Sequence, residues 1–230
     1  MEPSHTRLLA PSSRGFTLVE MLVVLAIIVI VSLIAITGQG NFNRSLILTD
    51  TAYTLAFSVR EAQSLGLSSR FFKGFQNAGY GVHLTAAVPT SYSLFADTAP
   101  DVPGSSQGGL CPGHSVASGP DAKPGNCLYD TAEEQVRAYS FNRGFKISKF
   151  CGFDTLINSN RCSGTGLGNL SALDITYLRP NTQSVILGVL QGGSLVALTN
   201  AVIYVASPDG TAERCVSVSK VGQVAVGTCP

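Results

Sequence analysis

The sequence has few charged residues and no concentration of charge of one sign. Asp, Glu, Lys and Arg make up 13% of its 230 residues, the formal net charge is +1, and no dense run of Lys and Arg occurs. Such a chain has no cluster of basic residues that could neutralise the phosphates of a nucleic acid, so the sequence does not predict nucleic acid binding. The low charge and the many Gly, Ser, Thr and Asn residues are typical of β-rich exported domains.

Catalytic and metal-binding motifs are also absent from the sequence. It contains no Gly-x-Ser-x-Gly elbow, no His-Glu-x-x-His motif and no P-loop. The Gly-rich stretch from Gly164 to Gly168 lacks the strand–turn–helix setting of a phosphate-binding loop. His83 and His114 have no nucleophile at motif spacing, and only a non-contiguous calcium site is left open. We therefore expect a protein that is not an enzyme and that has no cofactor and no metal.

No cysteine occurs in the first 110 residues. The chain has six cysteines, namely Cys111, Cys127, Cys151, Cys162, Cys215 and Cys229. An even number confined to one part of the chain predicts disulfides in an oxidising compartment, and the low entropy cost of short loops favours pairing each cysteine with its neighbour in the sequence. A zinc site is the alternative, but the chain has no Cys-x-x-Cys knuckle and its three histidines do not fall at ligand spacing.

The one long apolar run follows Gly15. About twenty residues there are almost all apolar, which is enough to cross a hydrocarbon layer of about 30 Å as a helix. Arg7 and Arg14 precede the run, so its N-terminal side is expected in the cytoplasm and the C-terminal domain on the other side of the membrane. A secretory signal would have a shorter apolar region, and a plain membrane anchor would leave the charge of Glu20 unexplained.

Residues 14–20 read RGFTLVE and stand directly before the apolar run. This motif resembles the class III signal of type IV prepilins and type II secretion pseudopilins. The resemblance implies that a prepilin peptidase cuts between Gly15 and Phe16 and methylates the new amino terminus of Phe16. We therefore expect a cleaved leader over residues 1–15 and a helix over residues 16–37 that first spans the membrane and later lies in a filament core.

Glu20 is the only charged residue within the apolar run. It lies one helical turn from Phe16, whose α-amine would carry the opposite charge after cleavage. The resemblance implies that Glu20 of one subunit meets the Phe16 amine of another during assembly. The alternative is that Glu20 only extends to the lipid headgroups from near the end of the helix.

Residues 38–67 continue the helix with an amphipathic pattern. Apolar residues recur every three or four positions and form a stripe along one face of the helix, at Leu48, Ala52, Leu55, Val59 and Ala62. We predict one helix of about fifty residues that bends or loosens at Gly38 and Gly40, because glycine destabilises a helix interior by about 1 kcal/mol. The apolar stripe requires a sheet to cover it.

The remainder, residues 68–230, is predicted to be an antiparallel β domain. Nine strands are predicted, at residues 80–84, 91–96, 136–141, 145–150, 173–178, 185–190, 202–207, 214–219 and 223–226. Consecutive strands are separated by short turns, so they are expected to form hairpins, including one around the turn Asn142-Arg143-Gly144. A Pro-, Gly- and Ser-rich insertion is predicted over residues 99–130. The fold class is thus α+β, with a long N-terminal helix packed on an antiparallel sheet.

The order of these elements resembles the H-type pseudopilin and its minor-pilin relatives, the GspH/FimT-like group. Residues 80–82, 173–181 and 202–207 are similar to strands and turns of that group. Some of its members bind DNA through a Gly-Arg-x-Arg element near the C-terminus. At the corresponding place this chain has Gly222-Gln223-Val224-Ala225, without either arginine.

Together these features predict a minor pilin or pseudopilin, a structural subunit of a type IV pilus or a type II secretion pseudopilus. Its expected partners are prepilin peptidase, other pilins or pseudopilins and an inner-membrane assembly platform. It is expected to cross the inner membrane once, with its domain periplasmic or extracellular. The alternative is a pilus-associated surface binding module, an adhesin or DNA-uptake receptor whose specificity resides in residues 99–165.

Overall fold

The computed structural model describes residues 15–68, 70–98, 110–111 and 125–230. Its elements are the helix α1 (Leu18–Leu67), a 3-10 turn (Ala132–Glu134) and the strands β1 (Gly79–Thr85), β2 (Ser91–Asp97), β3 (Gln135–Ser140), β4 (Lys146–Asp154), β5 (Ser159–Cys162), β6 (Leu170–Tyr177), β7 (Ser184–Leu190), β8 (Leu195–Leu198), β9 (Asn200–Ala206), β10 (Glu213–Ser219) and β11 (Val224–Gly227). The predicted leader, apart from Gly15, and most of the predicted insertion over 99–130 lie outside the described residues.

Helix α1 has 50 residues, and its helical assignment continues through Gly38 and Gly40. The prediction of one long helix is therefore confirmed, whereas bending at the two glycines stays a prediction. The chain divides into two compact units, residues 1–43 and residues 44–230. Each unit contains a part of α1, and the second contains all the strands.

The strands form two antiparallel sheets. The first has six strands in the order β3-β2-β1-β6-β7-β8, and the second has five in the order β11-β10-β9-β4-β5. The α+β class with an antiparallel β domain is thus confirmed, and each of the nine predicted strands is present with its ends shifted by a few residues. Two short strands, β5 and β8, were not predicted.

The predicted hairpin around Asn142-Arg143-Gly144 is wrong. The turn itself exists, with positive φ angles of 57° at Arg143 and 77° at Gly144. However, β3 pairs with β2 in the first sheet, whereas β4 pairs with β9 and β5 in the second. The turn therefore connects the first sheet to the second. β3 and β4 form their hydrogen bonds with other strands and not with each other.

One hydrophobic core joins the second half of α1 to both sheets. All five residues of the predicted apolar stripe are buried in it, from Leu48 to Ala62. They pack with residues of the first sheet, such as Ile175, and of the second, such as Ile203. Full burial of a Leu or Val side chain stabilises a fold by about 1.5–3 kcal/mol, so the stripe fixes this half of α1 on the sheets.

Candidate functional site

Gly15 and Phe16 precede helix α1 and are accessible. Gly15 is exposed, and a Cβ added to it would have no atom within 4 Å. The side chain of Phe16 is 76% exposed, and neither residue belongs to a helix or strand. The backbone of Gly15 and Phe16 is therefore exposed, among the described residues, without any unfolding of α1.

Thr17 caps the N-terminus of α1. Its hydroxyl oxygen accepts a hydrogen bond from the backbone N–H of Glu20 at 3.2 Å, and its carbonyl oxygen accepts one from the N–H of Met21, also at 3.2 Å. Thr followed three residues later by Glu is the pattern of a capping box, which satisfies N–H groups that the helix leaves unpaired. Glu20 also places negative charge in the first turn, where the helix dipole favours it.

The first part of α1 is apolar apart from Glu20 and Ser32. The segment Leu18–Ile36 has 19 residues, a mean hydropathy of 3.1 and no buried residue. It is long and apolar enough to cross a membrane, by length and composition. Together with the signal before it, this segment anchors the protein in a membrane.

The second part of α1 carries an exposed apolar stripe on the side away from the core. Leu46, Tyr53 and Phe57 are 53%, 48% and 65% exposed. Their spacing of seven and four residues places them on one face of the helix, roughly opposite Leu48 and Leu55. We call these three side chains the outer stripe. A helix of a monomeric soluble domain normally presents polar residues there.

Polar contacts fix this part of α1 to β11, to two turns of the second sheet and to the loop between β6 and β7. The guanidinium of Arg60 donates to the carbonyl oxygen of Val224 at 3.1 Å, and Gln63 Nε2 donates to the carbonyl oxygens of Thr182 and Gly222 at 3.3 Å each. Arg44 forms an ion pair with Asp209.

On the other side, the same helix contacts the first sheet. The carboxylate of Glu61 accepts a hydrogen bond from the Tyr139 hydroxyl at 2.8 Å and from Arg137 at 3.4 Å. Ser58 and Tyr92 share a buried hydrogen bond of 2.9 Å. The outer stripe is thus displayed on a helix that is held from both sides.

The six cysteines form three disulfides. The bonds are Cys111–Cys127, Cys151–Cys162 and Cys215–Cys229. The second joins directly opposed residues of β4 and β5, and the third fixes the C-terminal residues to β10. All six thiols are therefore consumed, and none can ligate zinc.

A cluster of buried acids lies near the first disulfide. The Asp97 carboxylate accepts the backbone N–H groups of Asn126 and Cys127 at 2.7 Å each. Burial raises the pKa of Asp97 well above its ordinary value, and nearby Glu134 and Asp130 raise it further, whereas the two N–H donors oppose the shift. Asp97 lies close to the two sulfur atoms, but because these are joined in a disulfide the group is no metal site.

His83 pairs with the buried Asp174 across neighbouring strands. His83 Nδ1 lies 2.7 Å from Asp174 Oδ1, and the imidazole packs on the Tyr129 ring with centroids 4.7 Å apart. Burial raises the pKa of the Asp174 carboxyl, and the charge of His83 opposes that shift. The pair secures the segment around Tyr129 on the first sheet.

The segment 222–225 contains the end of the turn after β10 and the start of β11, and it contacts the helix. Gly222 has a φ of +87°, and an added Cβ would lie 2.2 Å from the carbonyl oxygen of Thr182 and 2.8 Å from Gln63 Nε2. Gly222 is therefore closely packed against the helix and the loop before β7.

Several of these features could not be found from the sequence. The Asp174 partner of His83 is 91 residues away and becomes a neighbour only through strand pairing. The cap at Thr17 is the exception, because its Thr-x-x-Glu pattern is visible in the sequence.

Comparison with known proteins gives one match. A family model described as the prokaryotic N-terminal methylation motif matches residues 11–36. No curated protein and no solved structure matches the chain. The matched motif implies processing by a peptidase and assembly with other pilin-type subunits. The chain therefore carries a class III signal of the type IV pilin kind, followed by an α+β fold that suits a pilin-like protein.

Proposed function

We propose that this chain is a minor pilin or pseudopilin, a structural subunit of a type IV pilus or a type II secretion pseudopilus. The observation that carries the proposal is the methylation motif at residues 11–36, which leads directly into a 50-residue helix. The β domain packed on the second half of that helix supports it, as does the resemblance of the order of elements along the chain to the GspH/FimT-like group. The chain would act by packing with other subunits and not by catalysis.

The processing steps follow from the N-terminal geometry. A prepilin peptidase would cut between Gly15 and Phe16, where the backbone is exposed and no atom lies within 4 Å of a Cβ added to the glycine. Cleavage leaves the cap intact, because Thr17 and Glu20 both remain in the mature chain. The methylated amine of Phe16 would then meet the Glu20 carboxylate of a neighbouring subunit.

The proposed location follows from the same segment. Before assembly, Leu18–Ile36 would hold the chain in the inner membrane as its only span, with the domain periplasmic or extracellular. An inner-membrane assembly platform would then move the helix from lipid into the filament. The apolar surface would exchange lipid for neighbouring helices, so the transfer requires no large change in its solvation.

The test is co-expression of the full chain with a prepilin peptidase. The wild-type chain is expected to lose residues 1–15, seen as a shift on a gel, whereas Gly15→Leu should stay uncut because a large side chain blocks access at the scissile bond. Gly38→Ala is the matched control and should be cut normally. Equal processing of Gly15→Leu and the wild type would contradict cleavage at this site.

A further inference from the structure

A cavity of the described β domain lies where the two sheets meet and has a volume of about 590 Å³. Its walls are the turn after β1, the first half of β4, the loop after β5 and Gln191. Binding sites for small molecules have volumes of about 300–1,000 Å³, so the space suits a ligand of the size of one or two sugar rings.

The charge of the cavity is of one sign. Lys146 and Lys149 line it, and no acidic side chain is among the lining residues that the structure describes. Neither lysine takes part in an ion pair between described residues. The Glu213 carboxylate does not itself line the space, but it accepts a hydrogen bond at 2.7 Å from Ser148, which does.

The ammonium of Lys149 is positioned by an aromatic ring. It lies 4.2 Å from the centroid of Tyr204, a cation–π contact that orients the group without neutralising its charge. Lys146 is exposed. Tyr204 does not line the cavity, so the Lys149 side chain must turn away from the ring for its ammonium to reach a ligand there.

The opposite wall is built from the Gly-rich stretch that starts at Gly164. Gln191 Nε2 donates to the carbonyl oxygen of Gly164 at 2.8 Å, which fixes the start of this loop. Ser163 Oγ accepts the N–H of Phe150 at 3.1 Å, so its own proton is free to point at a ligand. Thr165 adds a second hydroxyl to the same wall.

The walls are fixed before any ligand binds. The N–H of Ile147 donates to the carbonyl oxygen of Pro89 at 2.8 Å, and the disulfide between Cys151 and Cys162 holds β4 to β5 just beyond the cavity. A preformed site loses little entropy on binding.

We propose that this cavity binds the anionic group of a small hydrophilic ligand, a carboxylate, sulfate or phosphate, between the two lysines and the hydroxyls of Ser163 and Thr165. The lining residues Ala86, Ala87 and Pro89 would contact the uncharged part of the ligand. This inference is independent of the proposed role in a filament. It would give the displayed domain a binding activity of its own.

The test is isothermal titration calorimetry on the full chain in a neutral detergent at constant ionic strength. The probes are glucuronate, inorganic phosphate and glucose. The cavity variant is Lys146→Gln with Lys149→Gln. Its matched control is Arg143→Gln with Lys220→Gln, which removes the same charge from two exposed residues that do not line the cavity.

Saturable binding of glucuronate or phosphate is expected, weakened about tenfold or more in the cavity variant and little changed in the control. Stronger binding of glucuronate would identify an acidic saccharide as the ligand type, and stronger binding of phosphate a phosphorylated ligand or the free anion. The proposal is overturned if neither anion binds saturably, if glucose binds as well as glucuronate, or if the two double variants weaken binding equally.

Discussion

The backbone N–H of Glu20 donates to the hydroxyl oxygen of Thr17 at 3.2 Å, which makes Glu20 the third residue of α1 behind its cap. The side-chain carboxylate of Glu20 thus has two possible roles. It stabilises the start of its own helix through the dipole, and under the proposed function it also pairs with the methylated amine of another subunit. Variants of the two residues separate these uses.

For Glu20→Ala and Glu20→Gln we expect normal cleavage and a strong loss of incorporation into filaments. Glutamine keeps the shape and still suits a capping box, but it cannot neutralise the amine in a low-dielectric filament core. The measurement is the ratio of subunit in the sheared filament fraction to subunit left in the membrane. Thr17→Ala is the control, since it costs about 1 kcal/mol of helix capping but keeps the carboxylate. Normal incorporation of Glu20→Gln would show that the charge is not used in assembly.

The outer stripe gives a second prediction. Replacing Tyr53 and Phe57 with Ser should reduce incorporation into filaments while the melting temperature of the domain stays nearly unchanged, because both side chains are largely exposed in the single chain. Leu156→Ser is the control, because Leu156 is 90% exposed but stands in the turn between β4 and β5. If both variants assemble equally well, the outer stripe is not a subunit contact.

Gly222 provides a prediction about stability. Gly222→Ala should lower the free energy of unfolding by about 3 kcal/mol, since the new Cβ adds a steric overlap with the Thr182 carbonyl to the strain of a positive φ. Gly210→Ala is the matched control: it has a φ of +70° with no atom near the added Cβ, and should cost about 1 kcal/mol. Denaturant titration followed by circular dichroism measures both. Equal losses would mean that the packing around Gly222 is looser than described.

The buried Asp97 predicts a pH dependence. Its pKa is raised, so the native state holds the proton more tightly than the unfolded chain, and the stability contributed by this group is present below about pH 4 and lost as the pH rises through the native pKa. The difference in unfolding free energy between wild type and Asp97→Asn should therefore shrink from pH 4 to pH 7, as measured by denaturant titration at each pH.

Asp154 should show the opposite trend. Burial tends to raise its pKa, but the hydrogen bond from Arg161 at 2.7 Å and further donors outweigh that and lower it. Its stabilising contribution is present at neutral pH and lost as the pH falls. The difference in unfolding free energy between wild type and Asp154→Asn should therefore increase as the pH rises. Parallel trends for the two variants would contradict the assigned environments.

The sequence predicted the local features of the fold and missed the distant pairings. The burial of Leu48 and Leu55 follows from helical periodicity, and the turn at Arg143 and Gly144 follows from its residues. Strand pairing depends on packing between segments far apart in the chain. For this reason β3 and β4 were wrongly predicted to pair as a hairpin. The strand β5, with the sequence SNRC, has no apolar alternation and forms because it can pair with β4.

The same division applies to the candidate sites. Gly15, Phe16 and Glu20 lie within one short motif, whose resemblance to the class III signal implied their roles from the sequence alone. Lys146 and Gln191 are far apart in the sequence, so no sequence pattern could show that they line the same cavity.

Mass spectrometry of the mature protein, recovered from membranes of cells that express a prepilin peptidase, tests the central claim most directly. The account predicts an N-terminal peptide that begins at Phe16 and carries one additional methyl group on its α-amine. A protein that still begins at Met1, or that is cut near Gly38, would contradict it.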